Sequence, residues 1–493
     1  MSRLDIKTPS RAQTVVEGLY RDVERRIAAS PPGLCPVEMS LSFLQLCHAQ
    51  TCGKCVPCRI GLGQLTKLIS QVLDGTANMG TVRIIEKTAR SIVDTADCAI
   101  GRDAARLVVD GLEGFRDDYE EHVQHHRCLA SLQNPVPCVA LCPAGVDIPG
   151  YMALVGAGRY ADAVRLIRKD NPMPTACAYI CEHPCEARCR RNMIDDPINI
   201  RGLKRYAVDH AGVVPNPPCA PATGKTMAIV GGGPSGLSCA YYLALMGHKV
   251  TIFEECSKLG GMLRYGIPAY RLPRTIIEEE ADVIREAGVV IECDTKVEKP
   301  AELLKEYDAV LMAIGSHAGV RLPMEGNDLD GVLLNIEFLQ NASMGKETGL
   351  GKKVVVLGGG NVAFDCARTA KRLGAEEIHL ACLEAREAMT ADDEEIEQAK
   401  EEGIFVHPAQ TFERITGEGS VTGVDFMDVK SFTFDENRRA IIEKVEGSEH
   451  HIDADTVIFA VGQRPAISEE DGLELGRGNS IVVKEKSLET PQQ

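Results

Sequence analysis

The chain has 493 residues, 44% hydrophobic and 25% charged, with a formal net charge of −17. This length exceeds one compact core and predicts roughly two to four domains. The acidic balance argues against nucleic acid or an anionic membrane as a partner held by bulk charge. The sequence shows no run of about 18 apolar residues for a membrane-spanning helix, and the N-terminus lacks the apolar core of a secretory signal, so a cytoplasmic location is expected.

Cysteines are numerous and unevenly distributed. The sequence contains 19 of them, and 13 lie within the first 189 residues. In a reducing compartment, metal ligation is a better interpretation of such clusters than disulfide bonding. The six later cysteines are scattered, and we expect them to be inert thiols.

Helical patterns dominate up to about residue 210, and the first cysteine group falls within them. The group contains Cys52, Cys55 and Cys58, and Cys98 follows forty residues later. Three close thiolates and one remote thiolate suit a [4Fe-4S] cluster. A zinc site with four cysteines and a redox-active CxxC pair are the alternatives.

The second cysteine group is Cys138 and Cys142, followed by Cys181, Cys185 and Cys189. A spacing of four places successive thiols on one side of a helical turn. Cys142 and the last three cysteines therefore form a second complete set of four ligands.

The composition changes after residues 212–226, a stretch rich in Pro and Gly that predicts a linker. Short apolar strands then alternate with helices, which is the α/β pattern. Residues 229–240 read IVGGGPSGLSCA and residues 356–367 read VLGGGNVAFDCA, an internal repeat with an offset of 127 residues. Each copy follows a strand and opens a helix, so we predict two nucleotide-binding units.

The first copy has the glycine spacing G-x-G-x-x-G, at Gly231, Gly233 and Gly236. These glycines permit a tight turn, close approach of a pyrophosphate and close helix packing. The next strand ends at Glu254, which can bind a ribose hydroxyl, and Gly261 follows in a flexible pair that could approach a flavin. The alternative is a turn that only packs strand against helix.

The second copy has the spacing G-x-G-x-x-A, at Gly358, Gly360 and Ala363. Glu384 lies 21 residues after Ala363, close to the spacing of a ribose-binding acid. The alternative for Glu384 is a solvated loop charge. Two tandem sites indicate hydride transfer from a nicotinamide to a flavin, and because the cofactors carry that chemistry we nominate no catalytic acid or base.

Residues 128–493 resemble the small subunit of glutamate synthase and the flavin half of dihydropyrimidine dehydrogenase and of ferredoxin-dependent transhydrogenases. The matching segments are CPAGVDIPGYM, CEHPCEARC, INIRGLKRYAVDHAG, GGGPSGL, GGMLRYGIPAYRLP, GGGNVAFDCAR and VIFAVGQRP. The resemblance implies FAD at the first glycine turn and NAD(P)H at the second, with hinge glycines at Gly315 and Gly462. It also implies cofactor contacts from Pro234, Ser235, Arg264, Asn361 and Val362.

A second resemblance covers residues 51–122. The segments TCGKCVPCRIG, DCAIGRDA and FRDDYEEHV are similar to the cluster-bearing C-terminal region of the NADH-binding flavoprotein subunit of respiratory complex I. That subunit's FMN and NADH domains have no counterpart here. The resemblance implies a module that hands electrons to a neighbouring subunit.

The chain departs from its relatives at one expected cluster. By resemblance, Cys128, Ser131, Cys138 and Lys204 occupy the ligand positions of a further cluster. A protonated lysine cannot ligate iron, so we expect that cluster to be lost or altered.

Two other departures concern the nucleotides. Where NADPH-specific relatives carry paired arginines, this chain has Leu383 and Glu384, with Arg386 nearby. We therefore expect a mild preference for NADH over NADPH. The relatives also continue past the final LETPQQ with a segment that touches the flavin, so either the sequence is truncated or another chain completes the site.

The predicted fold class is α/β, with two Rossmann-like domains for FAD and NAD(P) preceded by two helical iron–sulfur domains. The expected boundaries are a helical [4Fe-4S] module at 1–125, a second helical [4Fe-4S] domain at 126–211, the linker at 212–226, the FAD domain at 227–330 and 455–493, and the NAD(P) domain at 331–454.

The predicted function is electron transfer among NAD(P)H, FAD, two [4Fe-4S] clusters and a partner redox subunit. Hydrogenases, formate dehydrogenases and bifurcating transhydrogenases are the expected types of complex, and ferredoxin is a further candidate partner. The alternatives are a glutamate synthase small subunit and a non-catalytic wiring subunit that keeps its nucleotide sites only as scaffold.

Overall fold

A computed structural model of the chain describes residues 10–29, 35–125, 136–434, 440–484 and 487–491. The fold divides into two compact units, one from Met1–Pro174 with Cys181–Val213 and the other from Thr175–Ile180 with Val214–Gln493. The boundary at Val213 falls in the stretch expected to be a linker. Among the described helices, none is long and apolar enough to cross a lipid bilayer.

The first unit is helical. Its helices are α1 (Arg11–Ala29), α2 (Pro36–Ala49), α3 (Gly63–Leu73), α4 (Met79–Thr95), α5 (Ala99–Gly114), α6 (Arg116–His125), α7 (Pro137–Leu141), α8 (Ile148–Gly156), α9 (Tyr160–Arg168), α11 (Pro184–Ala187) and α12 (Ile200–His210). A π-helical turn at Pro57–Leu62 precedes α3, and a 3₁₀ turn occupies Arg190–Met193. The remaining short helix, α10 (Pro174–Ile180), lies almost entirely in the second unit.

Helix α4 illustrates how the sequence specifies these helices. The Asn78 side chain accepts the Thr81 N–H, and the Thr81 hydroxyl accepts the Asn78 N–H, which is a complete capping box. Val82, Ile85 and Ala89 then bury one face at helical spacing. The apolar core formed by α1 to α6 also includes Met193, so the cysteine-rich segments of this unit pack on one another.

The second unit contains the α/β part of the chain. Its remaining helices are α13 (Pro234–Leu245), α14 (Met262–Tyr265), α15 (Arg274–Glu286), α16 (Asn335–Ser343), α17 (Asn361–Arg372) and α18 (Asp393–Glu401). The strands of its first sheet, which is parallel with order β3-β2-β1-β4, are β1 (Thr226–Val230), β2 (Lys249–Phe253), β3 (Val290–Glu292) and β4 (Ala309–Met312).

A second parallel sheet has the order β6-β14-β7-β8-β9. Its strands are β6 (Val332–Leu334), β7 (Lys353–Leu357), β8 (Glu377–Ala381), β9 (Phe405–His407) and β14 (Thr456–Phe459). β14 is buried at every position, as expected of a parallel strand covered on both faces. This strand follows the domain boundary expected at residue 454, yet it lies inside the second sheet.

Two antiparallel elements complete this unit. One is a small sheet of β10 (Gln410–Gly417), β11 (Val421–Phe434), β12 (Ala440–Lys444) and β13 (His450–Asp453). The other is a ribbon of β5 (Ala318–Gly319) and β15 (Gln463–Arg464), in which β5 follows the last strand of the first parallel sheet and β15 follows β14 of the second. Parallel sheets with flanking helices agree with the predicted α/β class.

Candidate functional site

The first glycine turn lies between β1 and α13. The backbone of Gly231 has φ +109°, and a Cβ there would lie 2.3 Å from the Ala313 carbonyl oxygen. A Cβ at Gly236 would lie 2.0 Å from the Gly231 carbonyl oxygen. Both positions therefore require glycine, and the turn leaves the N-terminal amides of α13 available for a phosphate group.

Glu254 closes this turn from the end of β2. The carboxylate is buried, and it accepts the Gly232 N–H at 2.6 Å and the Cys256 N–H at 2.8 Å. Each carboxylate oxygen retains a further lone pair. The acid expected to bind a ribose therefore lies against the middle of the glycine turn.

A cavity of about 410 Å³ opens beside this turn. Most of the residues predicted for FAD line it, namely Gly231, Gly233, Pro234, Ser235, Glu254, Gly261 and Gly315. Sequence reasoning missed other lining residues that come from distant segments and share no motif: Lys296, Ile314, His317, Ile467 and Asp471. A glycine cradle, a helix N-terminus and a buried acid in one cavity fit the pyrophosphate and ribose of a dinucleotide.

The remaining predicted FAD residues have supporting positions. The Arg264 guanidinium donates to the Leu259 carbonyl at 2.7 Å and pairs with Glu278 at 2.6 Å, so it braces the Gly261 loop. Gly462 has φ +122°, and its carbonyl accepts the Val320 N–H at the β5–β15 ribbon. The expected hinge glycines, Gly315 and Gly462, thus lie next to paired connecting segments.

The second glycine turn, between β7 and α17, repeats this geometry. Gly358 has φ +141°, and a Cβ there would lie 2.3 Å from the Ala460 carbonyl oxygen. Gly360 precedes α17, in which Val362 packs against the apolar core and Ala363 is fully buried within it. The Asn361 side chain accepts the Asp392 N–H at 2.9 Å, which ties the turn to the start of α18.

Glu384 occupies the position in the second turn that Glu254 occupies in the first. Its Oε2 would lie 3.1 Å from a Cβ at Gly359, the middle glycine of the second turn. Arg386 is engaged elsewhere, because its guanidinium pairs with Asp393 at 2.7 Å and lies 3.6 Å from Glu397. Of the two residues, the acid is therefore the one directed at the turn.

In the first cysteine group, the remote Cys98 acts electrostatically on Cys58 together with the nearby Cys52 and Cys55. Cys58 is buried under α5, where a Cβ at Gly101 would lie 2.5 Å from its Sγ. Burial, then the Cys55 thiol and the charges of Cys98 and Cys52, raise the pKa of Cys58 to about 12. Thiols that repel one another as thiolates fit a cationic iron cluster, which would neutralise them.

Three cysteines of the second group, Cys138, Cys142 and Cys185, pack in the same apolar cluster as the buried side chain of Tyr151. The Tyr151 hydroxyl donates to a backbone carbonyl at 3.2 Å. Burial raises the pKa of Tyr151, and so do the charges of four thiols, those of Cys185, Cys138, Cys142 and Cys181. Burial also raises the pKa of Cys138, with the charge of Cys189 adding to it. The predicted ligand set takes four of the five cysteines in this group and leaves out Cys138, whose pKa Cys189 nonetheless influences.

Lys204 lies at the edge of the same group. Burial and the charge of Glu186 raise the pKa of Cys185 to about 11, and the Lys204 ammonium opposes that rise. Cys128 and Ser131 lie outside the described residues. Within the described part of the chain, no three His, Cys, Asp or Glu side chains lie close enough to share a single metal ion.

Comparisons with known proteins agree with this arrangement. One family model, pyridine nucleotide-disulphide oxidoreductase, matches residues 225–492. Two others match the helical part: the NADH-ubiquinone oxidoreductase-F iron-sulfur binding region at 38–122, and dihydropyrimidine dehydrogenase domain II, 4Fe-4S cluster, at 110–213. Fold and sites thus define an NAD(P)H-dependent oxidoreductase whose cofactors are FAD and [4Fe-4S] clusters.

Three relatives are similar over most of the chain. The NADPH-Fe(3+) oxidoreductase subunit beta of Geobacter sulfurreducens is 37% identical, over 90% of this chain and 70% of that protein. The NADP(+)-dependent formate dehydrogenase subunit beta of Moorella thermoacetica is 31% identical, over 91% and 74%. The glutamate synthase [NADPH] small chain of Escherichia coli is 34% identical, over 74% and 82%.

The chain belongs to the pyridine nucleotide-disulphide oxidoreductase family, and within it to the group that contains these subunits. The resemblances inferred from sequence motifs are confirmed, and so is the function of an electron-transferring oxidoreductase subunit.

Proposed function

We propose that this chain carries electrons between a nicotinamide nucleotide and a partner redox subunit through FAD and two [4Fe-4S] clusters. The observation that carries this proposal is the presence, in one chain, of two glycine turns of matching geometry and two cysteine-rich segments that match iron-sulfur family models. FAD, when bound, would accept the two electrons of a hydride together and release them one at a time. The chain's own residues bind, orient and shield the reacting groups.

We assign the FAD to the first turn and the nicotinamide nucleotide to the second, each in a Rossmann-like domain. Gly231, Gly233 and the start of α13 would hold the FAD pyrophosphate, and Glu254 would accept a ribose hydroxyl. The cavity beside this turn supports the assignment, because it joins the turn to the connecting segment at Gly315. Gly358 and Gly360 would serve the second nucleotide in the same way.

The nucleotide preferred at the second turn is proposed to be NADH. Glu384 lies against the glycine turn, where it can accept a hydrogen bond from a 2′-hydroxyl and would repel a 2′-phosphate. Arg386 already pairs with two carboxylates and would have to leave them to bind a phosphate. The relatives named above carry NADPH or NADP(+) in their names, so this chain would differ from them.

We propose that Cys52, Cys55, Cys58 and Cys98 bind one cluster and that Cys142, Cys181, Cys185 and Cys189 bind the other. The first cluster would pass electrons outward, because Cys52 is exposed. A partner of the formate dehydrogenase type is supported by the Moorella relative, whose match covers 91% of this chain. The many cysteines suit a reducing compartment, so we propose a cytoplasmic location.

A single variant tests the proposal. Anaerobically purified wild-type protein should contain about eight irons per chain, with four in each cluster. Cys98→Ala should lose about half of that iron, because it removes the remote ligand of one cluster only. Reduction of the flavin by NADH, measured by stopped flow as loss of flavin absorbance, should persist in the variant. Electron transfer to the co-purified partner subunit should fail.

The matched control is Cys366→Ala, which removes a fully buried thiol in α17 far from either cysteine group in sequence. It should retain the wild-type iron content. Full transfer to the partner by Cys98→Ala, or stoichiometric zinc in place of iron, would contradict the proposal.

A further inference from the structure

One chain segment in the proposed FAD-binding part of the second unit contacts α17, the helix that follows the second glycine turn. Arg271 lies between α14 and α15, and its Nη1 donates to both carboxylate oxygens of Asp365, at 2.8 and 2.9 Å. The Nε of Arg271 also lies 3.0 Å from a carboxylate oxygen of Glu395 in α18. The exposed fractions of the Arg271 and Asp365 side chains are only 18% and 7%.

Tyr270, the residue before Arg271, adds further contacts with α17. We call the contacts of Tyr270 and Arg271 with α17 and α18 the junction. The Tyr270 ring lies 3.8 Å from the Arg372 guanidinium carbon and 5.1 Å from that of Arg368, both in α17. Arg368 contacts Glu395 and Glu402, and Arg372 contacts Glu402 as well. Three arginines therefore meet three carboxylates around one tyrosine, and the charges balance.

A second, independent contact ties the same segment to α16. The Arg274 guanidinium donates to the backbone carbonyls of Leu263 and Ile267 and to the Ser343 hydroxyl at 2.6 Å. That hydroxyl in turn donates to the Arg264 carbonyl at 2.7 Å. The chain around Tyr270 and Arg271 is thus fixed to α17 and α18, and a few residues later Arg274 fixes it to α16.

Asp365 lies close to the second glycine turn, so this junction can affect the proposed nucleotide site. Asp365 lies in α17 about one turn after Asn361, where the helix begins directly after the second glycine turn. A helix is stiff, so a shift at Asp365 moves the second glycine turn. On the other side, Arg271 follows the loop of Gly261, which lines the FAD cavity.

We propose that Arg271 is a positioning residue for hydride transfer, holding the helix of the second glycine turn at a fixed offset from the FAD cavity. This inference rests on the proposed function, because it concerns the transfer between the same two nucleotides. A buried ion pair adds little net stability, and its better-attested role is to select one arrangement. Transfer between two bound rings is sensitive to such an arrangement, since a displacement of about 1 Å can slow a reaction about 100-fold.

The test compares Arg271→Gln with Arg271→Lys in the full-length holoprotein. FAD content, the dissociation constant of NADH and the saturating rate of flavin reduction per bound FAD are measured by stopped flow. We expect Arg271→Gln to slow the saturating rate by about tenfold or more, while the NADH dissociation constant changes by less than about threefold. Arg271→Lys retains one charged donor and should recover part of the rate.

The matched control is Arg414→Gln, which breaks an Arg–Asp pair at 2.6 Å inside the small antiparallel sheet and should leave the rate unchanged. A saturating rate of Arg271→Gln equal to that of the wild type, whether its melting temperature falls or not, would overturn the positioning role. So would a loss confined to NADH affinity. If wild-type flavin is bleached by neither NADH nor NADPH, the proposed function itself is wrong, and the wild type alone reveals this.

Discussion

The first glycine turn allows a quantitative prediction from a single added methyl group. In Gly236→Ala the new Cβ would lie 2.0 Å from the Gly231 carbonyl oxygen and 3.2 Å from the Ile229 Cγ2. The first contact is with backbone, which cannot rotate away as the end of a long side chain can. Gly231 is itself constrained, because a Cβ on it would lie 2.3 Å from another carbonyl oxygen.

Overpacking of this kind costs about 1–3 kcal/mol, and the backbone contact places Gly236→Ala at the upper end. About 3 kcal/mol corresponds to a decrease of roughly 5 °C in the melting temperature of a unit of this size. Opening the turn would also displace the amides proposed to bind the FAD pyrophosphate, so the bound FAD should fall well below one per chain.

Differential scanning calorimetry and the flavin absorbance of the purified protein measure both effects. Gly114→Ala is the matched control, because a Cβ at this position near the end of α5 would meet no atom within 4 Å. It should be neutral or stabilising by up to about 1 kcal/mol. A Gly236→Ala protein with full FAD content and an unchanged melting temperature would refute the role assigned to this turn.

Two further predictions concern charge. Burial raises the pKa of Asp365 from 3.8 to about 6, so the folded state retains a proton that the unfolded state has lost, and the associated stability is present below pH 4 and lost as the pH rises through 6. The free energy of unfolding of the wild type relative to Asp365→Asn should therefore fall by up to about 3 kcal/mol between pH 4 and 7. Urea unfolding of both proteins measures this difference, and a difference that stays constant across that pH range would contradict the prediction. Glu384→Arg should shift the ratio of kcat/KM for flavin reduction toward NADPH by about tenfold or more, and a wild-type preference for NADPH would show that the carboxylate does not read the ribose.

The sequence was sufficient for features that depend on neighbouring residues. A strand followed by closely spaced glycines and a helix has few alternatives, because L side chains rarely adopt the backbone angles of Gly231 and Gly358. The spacing of Cys52, Cys55 and Cys58 likewise predicts a cluster site from neighbouring residues alone, and this ligand set remains a prediction.

Tertiary structure decided what depends on long-range contact. No local signal indicates that Lys296 and Asp471 line one cavity, since each belongs to a different segment. Spacing assigned Cys142, Cys181, Cys185 and Cys189 to one ligand set without Cys138, yet α7, which contains Cys138, packs against α11, which contains Cys185. Sequence likewise placed a domain boundary before β14, which hydrogen bonding assigns to the second sheet.

The junction at Arg271 shows the limit of sequence most clearly. Arg271 and Asp365 lie 94 residues apart, and each belongs to a motif whose resemblance points only to cofactor binding. Two charges 94 residues apart gain a specific partner only when folding brings them together and excludes water. Their pairing was therefore settled by the packing of one nucleotide-binding part against the other, which residue spacing cannot encode.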